Sequence, residues 1–425
     1  MMGRNRSPRT VRGCARDPKL SSPAALLLLL LLAAGGVQAQ TAPGESPHIR
    51  NTAAAPALER VALKELWRIG GADDEAFFGV VGQALADEAG RIYLLDIQLN
   101  QVQVYSPEGA LLRALSREGE GPGEIRGAAD MCFLPGGRLA LLQSFPGRAV
   151  IIDLEDHPAG GFSMGGSDPS RGSFGVLVTG KSAGAHLVVG GMRMTFSPQG
   201  LSDQAFFLSS VDEQGTERVR YLEKNYPINY ADFVASEEGF DFVWSGRWDL
   251  APDGRVFAAP KRDAYEIEVR RADGTLERVI EREHSTRPRS DAEKREARLL
   301  VEAVARNYPT PPREVTVLAT EPAITAIHCR PDGELWVRTG RGDSERGPGV
   351  LTTFDVFDGE GRLRRQVALL APGDPRLDAI YLLGSDRVLV VTQALESYRT
   401  MQGVASEEAS QAEPMEVICY GMAAR

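Results

Sequence analysis

Along this chain, short runs of apolar residues, alternating or continuous, recur between clusters of Gly, Asp, Pro and Ser. That rhythm predicts β-strands joined by tight turns. It is clearest from Ala84 to Ile125, where ALADE, RIYLLD, QVQVY and LLRAL are separated by turn clusters at Asp87 to Gly90 and Ser106 to Gly109. Four runs rich in strand formers with tight connections read as one antiparallel meander. The pattern returns downstream when aligned on the Gly that ends each first hairpin turn: Gly90, Gly137, Gly184, Gly254 and Gly333, with Asp386 in the sixth copy. The first two intervals are both 47 residues. Each turn leads into an apolar second strand (RIYLLD, RLALLQ, HLVVGG, RVFAAP, ELWVRT, RVLVVT), and a third strand follows it. In four copies a second tight turn, SPEG, DEQG, RADG or DGEG, then opens a fourth strand.

Repeats of this size predict an all-β fold, a six-bladed β-propeller, because a stack of separate sheets would leave long edges unpaired. The two ends of the chain support that count. The last copy runs out after MEVICYGMAAR, residues 415–425, with three strands, while VALKELWRIGG, residues 61–71, is a strand without a unit. An N-terminal strand completing the last blade would close the ring. One helix interrupts the pattern between blades four and five: Ser290 with Glu293 forms a capping box, and Ala297, Leu300, Val301 and Val304 follow at helical spacing, ending before Pro309. The helix is amphipathic and is expected to pack over one end of the propeller. Residues 40–60, rich in Ala, Pro, Ser and Thr, read as a flexible leader, so the folded domain is expected over 61–425.

RIYLLDIQLNQVQVYSPEG at 91–109, followed by LLRALSREGEGPGEI at 111–125, resembles the repeat of six-bladed propellers of the NHL and TolB-like kind, with its Gly-Pro-Gly crossing between blades. Many exported bacterial proteins of unassigned role share that repeat. The resemblance implies a propeller scaffold and leaves the activity open, since such propellers serve binding modules, hydrolases and lyases alike.

The N-terminus changes the picture of where this domain works. Six cationic residues from Arg4 to Lys19 precede an apolar stretch from Pro23 to Ala34 and then Gly35-Gly36-Val37-Gln38-Ala39, the pattern of a signal peptide over residues 1–39, cleaved near Ala39. The Leu run is too short to span a bilayer, and Cys14 lies upstream of it, so no stable membrane anchor is expected and the product should be secreted or periplasmic. Losing the leader removes six cationic residues and one anionic residue, Asp17, which takes the formal charge from −10 to −15. So acidic a protein makes nucleic acid a poor partner; an unknown protein or small-molecule ligand is expected instead. Cys132, Cys329 and Cys419 are widely spaced with no CxxC, which indicates neither a disulfide framework nor a zinc site. The Gly119–Gly123 run, GEGPG, reads as a turn, because no Lys follows it and the next element is a strand. Arg341-Gly342-Asp343 reads as coincidence in a loop rich in Gly and charge.

Candidate chemistry is sparse. No HExxH helix and no GxSxG elbow occurs, so zinc and serine hydrolases have no support. First strands line the central channel of a propeller, which places Asp130, Asp249, His328 and Arg247 there, either facing a ligand or bonding neighbouring blades. Loop lengths mark the second candidate. First-to-second and third-to-fourth turns are tight, whereas the crossings 117–128, 160–173, 223–246 and 284–322 and the loops 193–203, 340–350 and 395–414 are long. Long loops gathered on one face mark it as the working side. Tyr226, Tyr230, Phe233, Phe240, Phe242 and Trp244 are expected exposed there, as partner anchors or as packing for the crossing. Trp244, Phe242, Tyr230 and Arg247, with the channel residues, are the ligand-binding candidates. The expected function is an exported binding or interaction module without a cofactor. The resemblance also implies an alternative, a calcium-dependent hydrolase or lyase of the lactonase kind with Asp130, Asp249 and Asp378 as oxygen donors, though no Asn stands at a matching first-strand position.

Overall fold

The computed structural model describes residues 46–72, 77–164, 173–197, 200–241, 246–404 and 414–422. The expected leader over 1–39 lies outside them, as do Phe242 and Trp244. The chain opens with β1 (His48–Asn51) and β2 (Leu58–Gly70). A first run follows, β3 (Val81–Ala86), β4 (Ile92–Asp96), β5 (Gln101–Tyr105) and β6 (Leu111–Leu115), each strand antiparallel to the one before. The second run is β7 (Ala128–Leu134), β8 (Arg138–Gln143), β9 (Arg148–Asp153) and β10 (Pro158–Ser163). The third is longer: β11 (Ser173–Ala183), β12 (His186–Phe196), β13 (Leu201–Val211) and β14 (Glu217–Asn229).

After β15 (Val234–Ser236) and the short α1 (Glu237–Phe240) comes a fourth run, β16 (Trp248–Leu250), β17 (Val256–Ala258), β18 (Glu266–Arg270) and β19 (Leu276–Arg282). The helix α2 (Asp291–Ala305) and β20 (Glu314–Thr316), parallel to β15, precede the fifth. That run is β21 (Ala326–Cys329), β22 (Leu335–Arg338), β23 (Val350–Phe357) and β24 (Leu363–Leu370), with α3 (Gly340–Ser344) between β22 and β23. The last strands are β25 (Ala379–Leu383), β26 (Arg387–Val391) and β27 (Glu416–Met422), with α4 (Ala394–Met401) between the final two. The fold is mostly β, and its sheets form a propeller-like arrangement.

Local chemistry explains these elements. The glycine ending each first hairpin turn has a positive φ, from 58° at Gly184 to 86° at Gly254, a conformation that side chains with a Cβ avoid. The second strands read as unbroken apolar runs because both faces are covered. In β4, Ile92 and Leu94 pack against Leu389 and Val417, whereas Tyr93 and Leu95 pack against Leu139 and Val150. The same division recurs around the molecule, so each core is shared by two consecutive runs, and the last shares one with the first. Each fully buried Leu, Val or Phe side chain there contributes roughly 1.5–3 kcal/mol.

The strand at 61–71 pairs where the sequence expected it. Residues Leu63–Gly70 of β2 lie antiparallel to β27 as its outer neighbour. The strap begins earlier than Val61, however, and the expected flexible leader is corrected over 46–60. Residues Leu58–Ala62 run parallel to β24, and β1 runs parallel to β19. Asn51 fixes that path: its Nδ2 donates to the carbonyls of Glu281 and Gly361, both at 3.0 Å, and its Oδ1 accepts from the Leu363 amide at 2.7 Å. Strand character was hidden in 46–60 because the segment lies on sheet edges and needs no apolar alternation.

The capping box on α2 is complete, with Ser290 Oγ accepting from the Glu293 amide and Glu293 accepting from the Ser290 amide. Val301 and Ala305 pack on Phe233, Phe240 and Val315. Two further departures concern loops. The crossing expected over 223–246 starts only after Asn229, since Tyr226 belongs to β14, and the loops expected at 340–350 and 395–414 contain α3 and α4. Cys132, Cys329 and Cys419 are free thiols. Among the described residues no helix is long and apolar enough to cross a membrane.

Candidate functional site

The first strands of the runs touch in order from β25 through β3, β7, β11 and β16 to β21, which brings their polar side chains together. Asp130 is buried and bonds two neighbours: its Oδ1 accepts from Gln83 Nε2 at 2.7 Å, on β3, and its Oδ2 from the Gly180 amide at 2.9 Å, on β11. Burial pushes its carboxyl up, against the pull of Gln83 and the Gly180 amide. Asp249 does the same one step on. Its Oδ1 meets Lys181 Nζ at 2.7 Å, and its Oδ2 accepts from the Cys329 amide at 2.6 Å. Burial works against the Lys181 charge, yet the Asp249 carboxylate outweighs it and raises the ammonium above its ordinary value. Lys181 also sits over the Trp248 ring, 5.2 Å from its centre. These carboxylates therefore staple adjacent strands.

His328 is on β21, edge-on to Phe354 with ring centres 5.8 Å apart, and its Nε2 has no partner among the described residues. Burial lowers its pKa to about 3. A histidine whose basicity falls on folding binds fewer protons folded than unfolded. Its contribution is fully present above about 6.5 and is lost as pH falls toward about 3. His328→Leu should accordingly lose less stability than the wild type between pH 7 and pH 4, measured by urea midpoints. Equal losses would mean that the imidazole ionises freely in the fold.

Arg247 stands elsewhere. It lies in the wall of a cleft of about 830 Å³ between α2 and α4. The cleft is walled by Asp241, Arg247, α2, 321–325, the β22–α3 corner, 375–377 and the start of α4, each from a segment that reads as long in the sequence or crosses between runs. Most charges around it answer one another. Arg338 Nη2 donates to Asp343 Oδ2 at 2.9 Å and to the Pro375 carbonyl at 3.1 Å, and Arg399 Nη1 meets Glu296 at 2.6 Å and also Glu396. The Arg399–Glu296 contact ties α4 to α2. Asp343, the acid of the Arg-Gly-Asp string, is buried in α3 and bonded to Arg338, Thr325 and Thr352, so it is not displayed to a partner. The GEGPG turn wraps a carboxylate of its own chain, with the Gly121 amide donating to Glu124 Oε2 at 2.9 Å. That bond, with Arg117, holds the Glu124 carboxyl below its ordinary value.

The aromatics are corrected in part. Phe233 and Phe240 are buried, packing the crossing onto α2 through Tyr308, which lies 5.4 and 5.3 Å from them. Rings attract rings more than water does, and the crossing needed a core of its own. Tyr230 is half-buried between Phe196 and Phe233, outside the cleft lining. The structure thus separates the candidates into a channel set (Asp130, Asp249, His328), a cleft residue (Arg247) and an aromatic row (Tyr230). Lys181 and Gln83, which complete the channel set, escaped sequence reasoning because nothing local marks a partner on another strand.

No protein-family model matches the sequence, and no curated protein matches it. Solved structures of similar shape are propeller-type proteins. They include a putative exported protein from Bacteroides fragilis, at 10% identity over 87% of this chain and 98% of that one, with a TM-score of 0.45. A calcium-binding protein, regucalcin, from Agrobacterium tumefaciens is 11% identical over 87% and 97% of the two chains, with a TM-score of 0.43. Streptogramin B lyase is 10% identical over 79% and 77%, with a TM-score of 0.35. Likenesses this distant leave both a binding module and a hydrolase open.

Proposed function

We propose that the protein is an exported six-bladed propeller of the NHL and TolB-like kind, acting in the periplasm or outside the cell as a binding module whose working side is its long-loop face. The count of six is supported by the shared cores and by β2, which supplies an outer strand to the last run. The observation that carries the binding reading is the cleft between α2 and α4, built from the long connections. A fragment screen by ligand-observed NMR tests it. Hits should be lost when Ala297→Trp fills the α2 wall and kept in Glu108→Ala, which alters a tight turn. Hits that ignore Ala297→Trp would remove the cleft from consideration.

The calcium-dependent alternative fits the residues poorly. Each carboxylate proposed as a ligand is already bonded through both oxygens: Asp130 and Asp249 as described, and Asp378 to the Asp374 and Gln393 amides at 2.8 and 3.0 Å. Among the described residues no group of three or more His, Cys, Asp or Glu is placed to hold an ion. Millimolar calcium is expected to leave the melting temperature unchanged, since an ion bound only to the folded state must raise it. A saturable rise that disappears in Asp130→Asn would restore the alternative.

A further inference from the structure

Arg247 is the exception among the cleft's charges. Its neighbours Arg289, Arg338, Arg376 and Arg399 each meet a carboxylate, through Glu237, Asp343, Asp374 and the Glu296–Glu396 pair, and of these four Arg399 alone leaves a buried donor, its Nε, without a partner among the described residues. Arg247 is only 2% exposed, yet just its Nη2 is engaged, donating to Asp241 Oδ2 at 2.8 Å. Its Nε and Nη1 have no partner among the described residues. A guanidinium keeps its charge in any protein environment, and leaving its donors unmet out of water is costly. Buried donors of this kind in a cleft wall are a standing demand for an acceptor.

We propose that Arg247 anchors the carboxylate of a small monoanionic ligand seated in the cleft between α2 and α4; this rests on the cleft being the binding site. A single planar guanidinium with unmet donors matches a single planar carboxylate. A dianion such as phosphate suits the site less, because Asp241 stands beside Arg247 and the lining also carries Glu293, Glu296 and Glu321. The remaining walls select the ligand's body. Ala297, Leu300, Ile324, Leu377 and Leu395 line the same cleft, and such a surface takes a hydrocarbon chain or an aromatic ring. The ligand class is therefore a carboxylic acid with an apolar body.

The probes are hexanoate, phenylacetate, hexanamide and inorganic phosphate, titrated into the purified protein by calorimetry. Both carboxylates should bind saturably, with hexanamide weaker by about tenfold or more, the usual worth of a hydrogen bond to a charged group. Arg247→Gln should weaken the carboxylates by at least that factor and leave hexanamide unchanged. Asp241→Asn should tighten them, because it removes the competing anion; a purely structural ion pair would not change affinity. Should Arg247→Gln fail to fold, Asp241→Asn decides alone, and unchanged affinity in that variant overturns the proposal. Equal binding of acid and amide, or preference for phosphate, overturns it too. If a neutral fragment binds and is lost in Ala297→Trp while neither carboxylate binds, the ligand class is wrong and the cleft reading stands. If carboxylates bind but ignore Ala297→Trp, both are wrong.

Discussion

Deleting residues 46–70 is expected to leave a protein that aggregates instead of folding. The segment is a single covalent thread over three consecutive runs: β1 lies on β19, the start of β2 on β24, and the rest of β2 on β27. Without it, β24 and β27 each present an unpaired edge, and long apolar edges pair with other chains. The thread also reaches the first run. Trp67 stacks on Tyr105 with ring centres 6.4 Å apart, and its Nε1 donates to the Pro107 carbonyl at 3.1 Å. Gly109 has no side chain because the Trp67 ring occupies the space, and a Cβ there would stand 2.7 Å from Trp67 Cγ. Removing β2 thus breaks the seam between last and first runs as well as completing strands. Graded variants separate the contributions. Deleting 46–57 should lower the melting temperature by several degrees without loss of solubility, and Trp67→Ala should cost about 2–3 kcal/mol, below the full range for a wholly buried Trp. A soluble 46–70 deletion melting like the intact protein would show that the seam is held without the strap.

What was legible in the sequence, and what was not, divides by the range of the interactions. RIYLLD and its counterparts announce themselves because both faces of those strands are buried, so every position is apolar, and the following glycine turn is local chemistry. The α2 cap is local too. By contrast β10, Pro158–Ser163, was missed because Pro-Ala-Gly-Gly carries no apolar alternation; it is an edge strand with one core residue, Phe162. α4 escaped because it is short and its buried Arg399 and Glu396 read as surface charges until Glu296 on another helix is placed beside them. The site split in the same way. Loop lengths marked several of the segments that wall the cleft, but those walls range along the chain from Asp241 to Arg399, and no spacing in the chain encodes their meeting.

Asp249→Ala should destabilise the protein by about 3 kcal/mol, the low end for removing one partner of a buried ion pair, since the Lys181 side chain retains 31% exposure. Two losses add up: Lys181 keeps a charge that burial already disfavours, and the Cys329 amide loses its acceptor. Asp249→Asn separates them, because the amide oxygen still accepts from Cys329 while the charge is gone. It should cost roughly half as much, with Lys181 titrating lower than in the wild type. Adding Lys181→Met to Asp249→Asn should recover part of the loss, a coupling of about 1 kcal/mol or more by double-mutant cycle. The same variants tell the channel from the cleft. Asp249 staples β11, β16 and β21 from inside, so its loss is expected to lower the melting temperature while leaving carboxylate affinity at the cleft unchanged. Affinity that falls with Asp249→Asn at a temperature where the variant is fully folded would make the channel part of the binding site, and the division between an inner structural ring and an outer working face would fail.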